Sequence, residues 1–388
     1  MRKIYLYAGI GIISLGVISM GIVSCKTGQD TDRRQVFMFV GSYASAEDPG
    51  MYVYSYDEED LRLTEIQQIS GYSNPGFLAV HPEGTFLYAV NEIADFGENK
   101  EGLVTSFRID EVTGELQYLN MQSSEGANPC HISILGESHV LVANYTGGNI
   151  AALPVDSDGS LREASSVAQH EGSGPNERRQ SAPHAHSVYP SVDGYYIFAA
   201  DLGIDKVLIY RMSSSGEVMP NTASPHAVME PGAGPRHLAF HPGGRWIYVI
   251  NELNSTVTRV DFEKDSGQAS VKESVTTLPP DWDGNNFCAD IHVHPSGRFL
   301  YASNRGHNSI AIFRIESDGR VTSSGHEPVR GEWPRNFSID PQGERLFVAN
   351  QHSGNITVFD IDQDTGELTF TGKELNIDQP VCIKFLVR

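Results

Sequence analysis

Arg236, Arg305 and Arg335 each interrupt a strand-like apolar run, at points where other stretches of the chain carry Gly76, Ala289 or Val381. A guanidinium buried in such a run without a partner costs several kcal/mol, so these three imply partners or a ligand. Glu252 follows Arg236 closely, and His131, His184, His186, His237 and Asp290 occupy comparable places elsewhere. Guanidiniums that converge in a concave polar setting suit a carboxylate or phosphate. A histidine or glutamate beside them suits proton abstraction from water when its pKa lies near neutrality. The same residues also allow plainer readings. Arg236 with Glu252 reads as an ion pair that only ties adjacent strands. His184-Ala185-His186 with Asp201, or Asp290-Ile291-His292, supplies metal-ligand types. Residues two apart on a strand share a face but stand well separated, so these histidines read as structural or substrate-facing and no metal is expected.

An internal repeat must bring these residues together. Asn74-Pro75-Gly76-Phe77-Leu78-Ala79-Val80-His81-Pro82 leads to Phe86-Leu87-Tyr88-Ala89-Val90-Asn91, and Gly234-Pro235-Arg236-His237-Leu238-Ala239-Phe240-His241-Pro242 leads likewise to Asn251. Further copies run from Ile291 to Asn304 and from Trp333 to Asn350, with weaker ones starting at Asn128-Pro129 and Ala182-Pro183. The copy at Pro183 carries two extra residues before Asp201, which holds the Asn slot. The opening slots at 75, 129, 183, 235, 288, 334 and 380 are 54, 54, 52, 53, 46 and 46 residues apart. Such periods, with several short strands per unit, belong to propeller blades. Third strands are predicted at Leu103 to Ile109, Val207 to Met212, Thr256 to Phe262, Ile310 to Ile315 and Ile356 to Ile361. Residues Val36 to Gln68 hold only the later strands of a blade, and Pro380 to Leu386 reads as an opening strand without followers. The expected fold is all-β: a seven-bladed β-propeller closed by the C-terminal strand joining the N-terminal blade.

Within each unit the first strand runs from the proline slot to a His-Pro turn, and the second climbs back to the Asn slot. Antiparallel pairing sets these two slots side by side, so all seven units place them at one mouth of the channel. His81, His241 and His294 fall at the opposite end, where they read as turn residues. The asparagines of the Asn slots read as caps on turn backbone.

The stretch Gly232-Ala233-Gly234-Pro235-Arg236-His237-Leu238-Ala239-Phe240-His241-Pro242, with Val249-Ile250-Asn251-Glu252-Leu253-Asn254-Ser255, resembles the propeller-type 6-phosphogluconolactonase family. Carboxymuconate cyclase is a fungal relative with the same architecture. The similarity runs from about Val36 to the C-terminus, with the Arg236/Glu252 stretch its most specific part. That family's proposed active site is a His, Arg, Glu and Arg set, which falls by repeat position on His184, Arg236, Glu252 and Arg305. The resemblance therefore implies hydrolysis of a small anionic sugar lactone without a cofactor. His184 or Glu252 is the expected general base, while Arg236 and Arg305 hold the anionic group and stabilise the oxyanion, one such donor being worth about 3 kcal/mol. His131, His186, His237, Asp290 and Arg335 complete the ring as expected substrate-binding groups. A G-x-S-x-G nucleophile elbow is lacking, so no serine nucleophile is indicated. Lactone formation, as in the muconate relative, and a non-catalytic surface propeller that captures an anionic sugar or peptide are the rival readings.

The chain ends and composition limit the setting. Arg2 and Lys3 precede an apolar run from Ile4 to Val23 that ends in Ser24-Cys25, resembling the lipobox of a bacterial lipoprotein signal peptide. Residues 1–25 are thus expected to be a signal with an acylated Cys25, residues 26–35 a flexible tether and residues 36–388 the propeller. An uncleaved anchor helix is the alternative. The expected location is the cell envelope, by lipid anchor only, in a protein acting as a monomer. A net charge of −21 repels nucleic acid and anionic membrane, so any anion must be drawn by a local basic cluster. Cys130, Cys288 and Cys382 lack metal or disulfide spacing and read as buried free thiols.

Overall fold

Twenty-nine strands among the described residues fall into seven antiparallel sheets, with one 3-10 turn at Leu202–Ile204 between them. The computed structural model describes residues 34–388, of which Gln35–Arg388 form one compact unit. The expected signal peptide with Cys25, and nearly all of the tether, lie outside the described residues. Blade 1 is composite, in the order Pro380–Val387, Val36–Ser42, Met51–Asp57 and Arg62–Ile69. Blades 2 to 7 open with Phe77–Val80, Pro129–Leu135, Ala185–Pro190, Pro235–Phe240, Phe287–Val293 and Pro334–Ile339. The C-terminal strand closes the ring by pairing Val36 with Val387 through Gly41 with Cys382. The predicted third strands are Glu101–Ile109, Lys206–Met212, Thr256–Glu263, Ser309–Ile315 and Asn355–Ile361. Blade 4 alone splits its outer edge, where Val218–Pro220 and His226–Val228 both pair with Lys206–Met212.

The hydrophobic core lies between neighbouring blades, and a recurring clamp sets their spacing. Phe37, Phe86, Trp246 and Phe299 stand near the heads of second strands. Each faces the outer-turn glycine of the next blade: Gly114, Gly159, Gly319 and Gly366. These glycines have positive φ, and a Cβ on any of them would run into the facing ring. Tyr88, Tyr248 and Tyr301 donate to the carbonyls of Gly159, Gly319 and Gly366 at 3.2, 2.9 and 2.9 Å. Glycine is thus required twice over at these turns, by backbone conformation and by close approach.

The channel's opposite end is latched by the His-Pro histidines. His241 and His294 bond through Nε2 to the carbonyls of Gly297 and Gly343 in the next blades, at 3.1 and 2.7 Å. Their Nδ1 atoms accept from Gly243 N and Ser296 N within their own turns. Each histidine therefore closes one turn and staples it to the next. Cys130, Cys288 and Cys382 are free and buried.

Candidate active site

Strand register explains how the polar ring forms. In blade 5, Pro235 pairs with Asn251 and His237 with Ile250, so Arg236 has no partner across the pair. Cys130 in blade 3 and Arg335 in blade 7 are left unpaired in the same way. Such a β-bulge re-aims the extra residue, here toward the axis. In blade 4 the irregularity follows Ala185, which pairs with Asp201, and the unpaired residue is His186. The repeat equivalent of Arg236 is therefore His186 and not His184, because the two extra residues of this blade move the slot. Blade 6 also slips by one residue, with Ala289 and Asp290 set opposite Ser303 alone.

Two rings of positions supply most of a cup of about 350 Å³ at this mouth. The bulge slot contributes Cys130, His186 and Arg335, and the position after the Asn slot contributes Glu92, Tyr145, Glu252, Arg305 and Gln351. Phe287 and Trp333, which precede the opening slots, and Arg179 from the loop before blade 4 complete the wall. Trp333 holds a left-handed φ of 65°, at a slot where other blades carry Asn74, Asn128 or Gly234. A bulky residue rarely adopts that backbone, and such strain concentrates at functional positions. Its ring stacks on His352 at 4.7 Å, with the Arg305 guanidinium 5.3 Å from its centroid.

Glu252 organises one wall. Its Oε2 accepts from Arg236 Nε at 3.0 Å and Arg305 Nη2 at 2.7 Å, while Oε1 accepts from Arg179 Nη2 at 2.6 Å. Burial alone would raise its pKa, but Arg305, Arg236 and Arg179 together hold it down at about 2. Burial in turn presses Arg305 down to about 9, against the pull of Glu252, so the guanidinium stays charged at neutral pH. Arg335 differs. Among the described residues its guanidinium has no hydrogen-bonding partner, and it lies 5.2 Å from the centroid of Tyr43. Burial works against its charge, yet Tyr43, Glu92 and Glu252 keep its pKa above the ordinary arginine value. Four guanidiniums thus gather around two glutamates in a chain of net charge −21, giving the local basic site an anion needs.

The remaining expected residues lie elsewhere. His184 does not line the cup; its ring stacks on Tyr145 at 4.5 Å and its Nδ1 meets the Tyr145 carbonyl at 3.0 Å. Arg236 sits behind Glu252, bonded also to Ala289 O and His237 Nε2. His237 and Asp290 form the channel's waist. His237 Nδ1 meets Asp290 Oδ1 at 2.8 Å, and the other carboxylate oxygen takes His292, Asn336 and the amide of Phe337. Burial and Arg236 lower His237 to about 4, so the neutral ring donates from Nδ1 and accepts from Arg236. Asp290 has its oxygens filled by protein, which makes it a positioning group for His237 and Arg236. His131 lines a second cavity, at the His-Pro end with Phe77, Tyr189 and Lys384. His186 does line the cup, and burial, Arg236 and His237 keep its pKa well below that of free imidazole.

Glu92, Tyr145 and Gln351 each follow an Asn slot as Glu252 does, so the repeat also sets them on the ring, whereas Tyr43, Arg179, Phe287 and Trp333 carried no assignment from the sequence. The signal for Tyr43 was present: Ser42 pairs with Pro380, so it holds the Asn slot of blade 1 and Tyr43 follows it as Glu252 follows Asn251. Arg179 gave no such signal, because its loop has no counterpart in the repeat.

Fold and cup together define a seven-bladed propeller with an arginine-rich cup at one channel mouth. The chain belongs to the family of seven-bladed β-propeller lactonases, whose model (Lactonase, 7-bladed beta-propeller) matches residues 37–385. It is 37% identical over 350 residues to a 6-phosphogluconolactonase of Bacillus subtilis, covering 90% of this chain and 97% of that protein. A 6-phosphogluconolactonase of Formosa agariphila is 35% identical, covering 88% and 97%. The periplasmic gluconolactonase of Pseudomonas aeruginosa superposes with a TM-score of 0.84 at 30% identity, covering 91% of this chain and 99% of the other.

Proposed function

We propose that this chain hydrolyses the lactone of a sugar acid that carries an anionic group, at the cell envelope where a lipid on Cys25 would hold it. The observation that carries the reading is the guanidinium of Arg335, left without a hydrogen-bonding partner in a cup whose other arginines are clasped by Glu252. Arg335 binds the anionic group, while Trp333, Phe287 and Tyr145 wall the cup around the sugar ring. The clasp fixes Arg305 and Arg179 yet leaves Nη1 of each without a protein partner among the described residues. These donors suit the oxyanion that forms when water adds to the lactone carbonyl, and their fixed placement avoids reorganisation during the reaction. The names of the relatives include both a phosphorylated gluconolactone and gluconolactone itself; only the phosphorylated one carries an anion for Arg335, which favours it as the substrate here.

Proton release from δ-gluconolactone and its 6-phosphate, measured against the uncatalysed rate, tests the proposal. Acceleration of either substrate, with the higher kcat/KM on the phosphorylated one, is expected. No acceleration between about pH 5 and 9 would make the chain a binding propeller instead. Consumption of a muconate with lactone formation would make it a cyclase.

A further inference from the structure

We propose that Glu92 is the base that takes the proton from the attacking water, an assignment that rests on the lactonase reading above. Glu92 and Glu252 are repeat equivalents, each following the Asn slot of its blade's second strand: Asn91 lies within Phe86–Phe96 and Asn251 ends Trp246–Asn251. Their surroundings push them apart, which is how one site obtains carboxylates of different roles. Glu252 has both oxygens engaged by guanidiniums, and such a carboxylate has little affinity for a proton. Glu92 escapes that clasp because of its own blade. Where blade 5 carries Arg236 and blade 7 carries Arg335, blade 2 carries Gly76. A Cβ at Gly76 would lie 3.1 Å from Glu92 Oε2 and 3.0 Å from Tyr43 Cε1, so the bare backbone keeps this corner open.

Glu92 Oε2 accepts from the Tyr43 hydroxyl at 2.7 Å, which fixes the carboxylate's orientation. Oε1 has no hydrogen-bonding partner among the described residues, and the side chain lines the cup. The charged and titratable groups around it are Tyr43 from blade 1, Cys130 from blade 3, Arg236 from blade 5 and Arg335 from blade 7. Burial raises the pKa of Glu92, and Arg335, the Tyr43 hydrogen bond and Arg236 pull against it. In the step itself, a water proton passes to Glu92 as the water oxygen bonds to the carbonyl carbon. The tetrahedral oxyanion then collapses and breaks the ring C–O bond, and the departing ring oxygen takes the proton back from Glu92. One water is consumed and Glu92 returns to its carboxylate form.

The test is the pH dependence of kcat/KM for the full-length protein, with gluconate and 6-phosphogluconate binding followed by calorimetry. Glu92→Gln is expected to lose at least about 100-fold in kcat and the acid limb of the profile, while product affinity changes by less than about threefold. Tyr43→Phe removes a bond that stabilises the charged carboxylate, so its acid limb should move to higher pH. This second variant carries the test if a thermal melt shows that Glu92→Gln does not fold. Activity of Glu92→Gln within about tenfold of wild type overturns the assignment. So does an acid limb that stays in place in Tyr43→Phe but moves in His186→Asn. Wild-type protein that hydrolyses no lactone overturns the lactonase reading itself, whereas normal turnover with an indifferent Glu92 overturns only this inference.

Discussion

At the scale of single residues, the arginines of the cup divide into one left open and three already engaged. Arg335→Met should raise KM for a phosphorylated lactone by about 10- to 100-fold, consistent with one lost charge-assisted contact. Its melting temperature should hardly move, since no protein group loses a hydrogen bond. Glu252→Gln should behave in the opposite manner. It strands three guanidiniums in a buried site, and breaking such a cluster costs about 3–5 kcal/mol, visible as a lower urea midpoint at pH 7. The pH dependence has a definite sign. Glu252 titrates at about 2 in the folded protein, below its unfolded value of 4.5. Its contribution, about 3 kcal/mol from that difference, is complete above the unfolded pKa and fades as pH falls toward 2. The stability gap between wild type and Glu252→Gln should therefore narrow between pH 5 and pH 2.5. A gap that stays constant over that range would show that the clasp does not depend on the carboxylate's charge.

At the scale of the blade, the two ends of each first strand do different work. The upper end carries the bulge that turns Arg236, Arg335, His186 and Cys130 toward the axis. The lower end carries the histidine latch. His294→Ala removes the 2.7 Å bond to Gly343 O and the turn bond to Ser296 N. It should cost about 1–3 kcal/mol in denaturant unfolding with kcat/KM unchanged, because the cup lies at the other mouth. The two ends were not equally readable. The His-Pro turn is a repeated local signal, so its position was plain. The bulge is a property of pairing between two strands, and in blade 4 the extra residues moved the inward slot from His184 to His186.

At the scale of the whole molecule, blade 1 joins residues some 350 positions apart, Val36 to Val387. Deleting residues 380–388 should leave Val36–Ser42 as an open edge and remove one wall of the core. The expected result is aggregation on size exclusion and loss of a cooperative melt; a monomeric, cooperatively folding truncation would show that closure is dispensable. The amino-acid sequence by itself determined the blade count, the closure by the C-terminal strand and the mouth that carries the polar ring. These follow from a period and from strand alternation, both of which are local and repeated. Only the tertiary structure decided which ring members meet. Three arginines from the loop before blade 4, blade 5 and blade 6 converge on Glu252, while Glu92 stands apart beside Gly76 and Tyr43. Such convergence depends on one-residue slips in pairing and on a loop outside the repeat, and neither leaves a periodic trace in the order of residues.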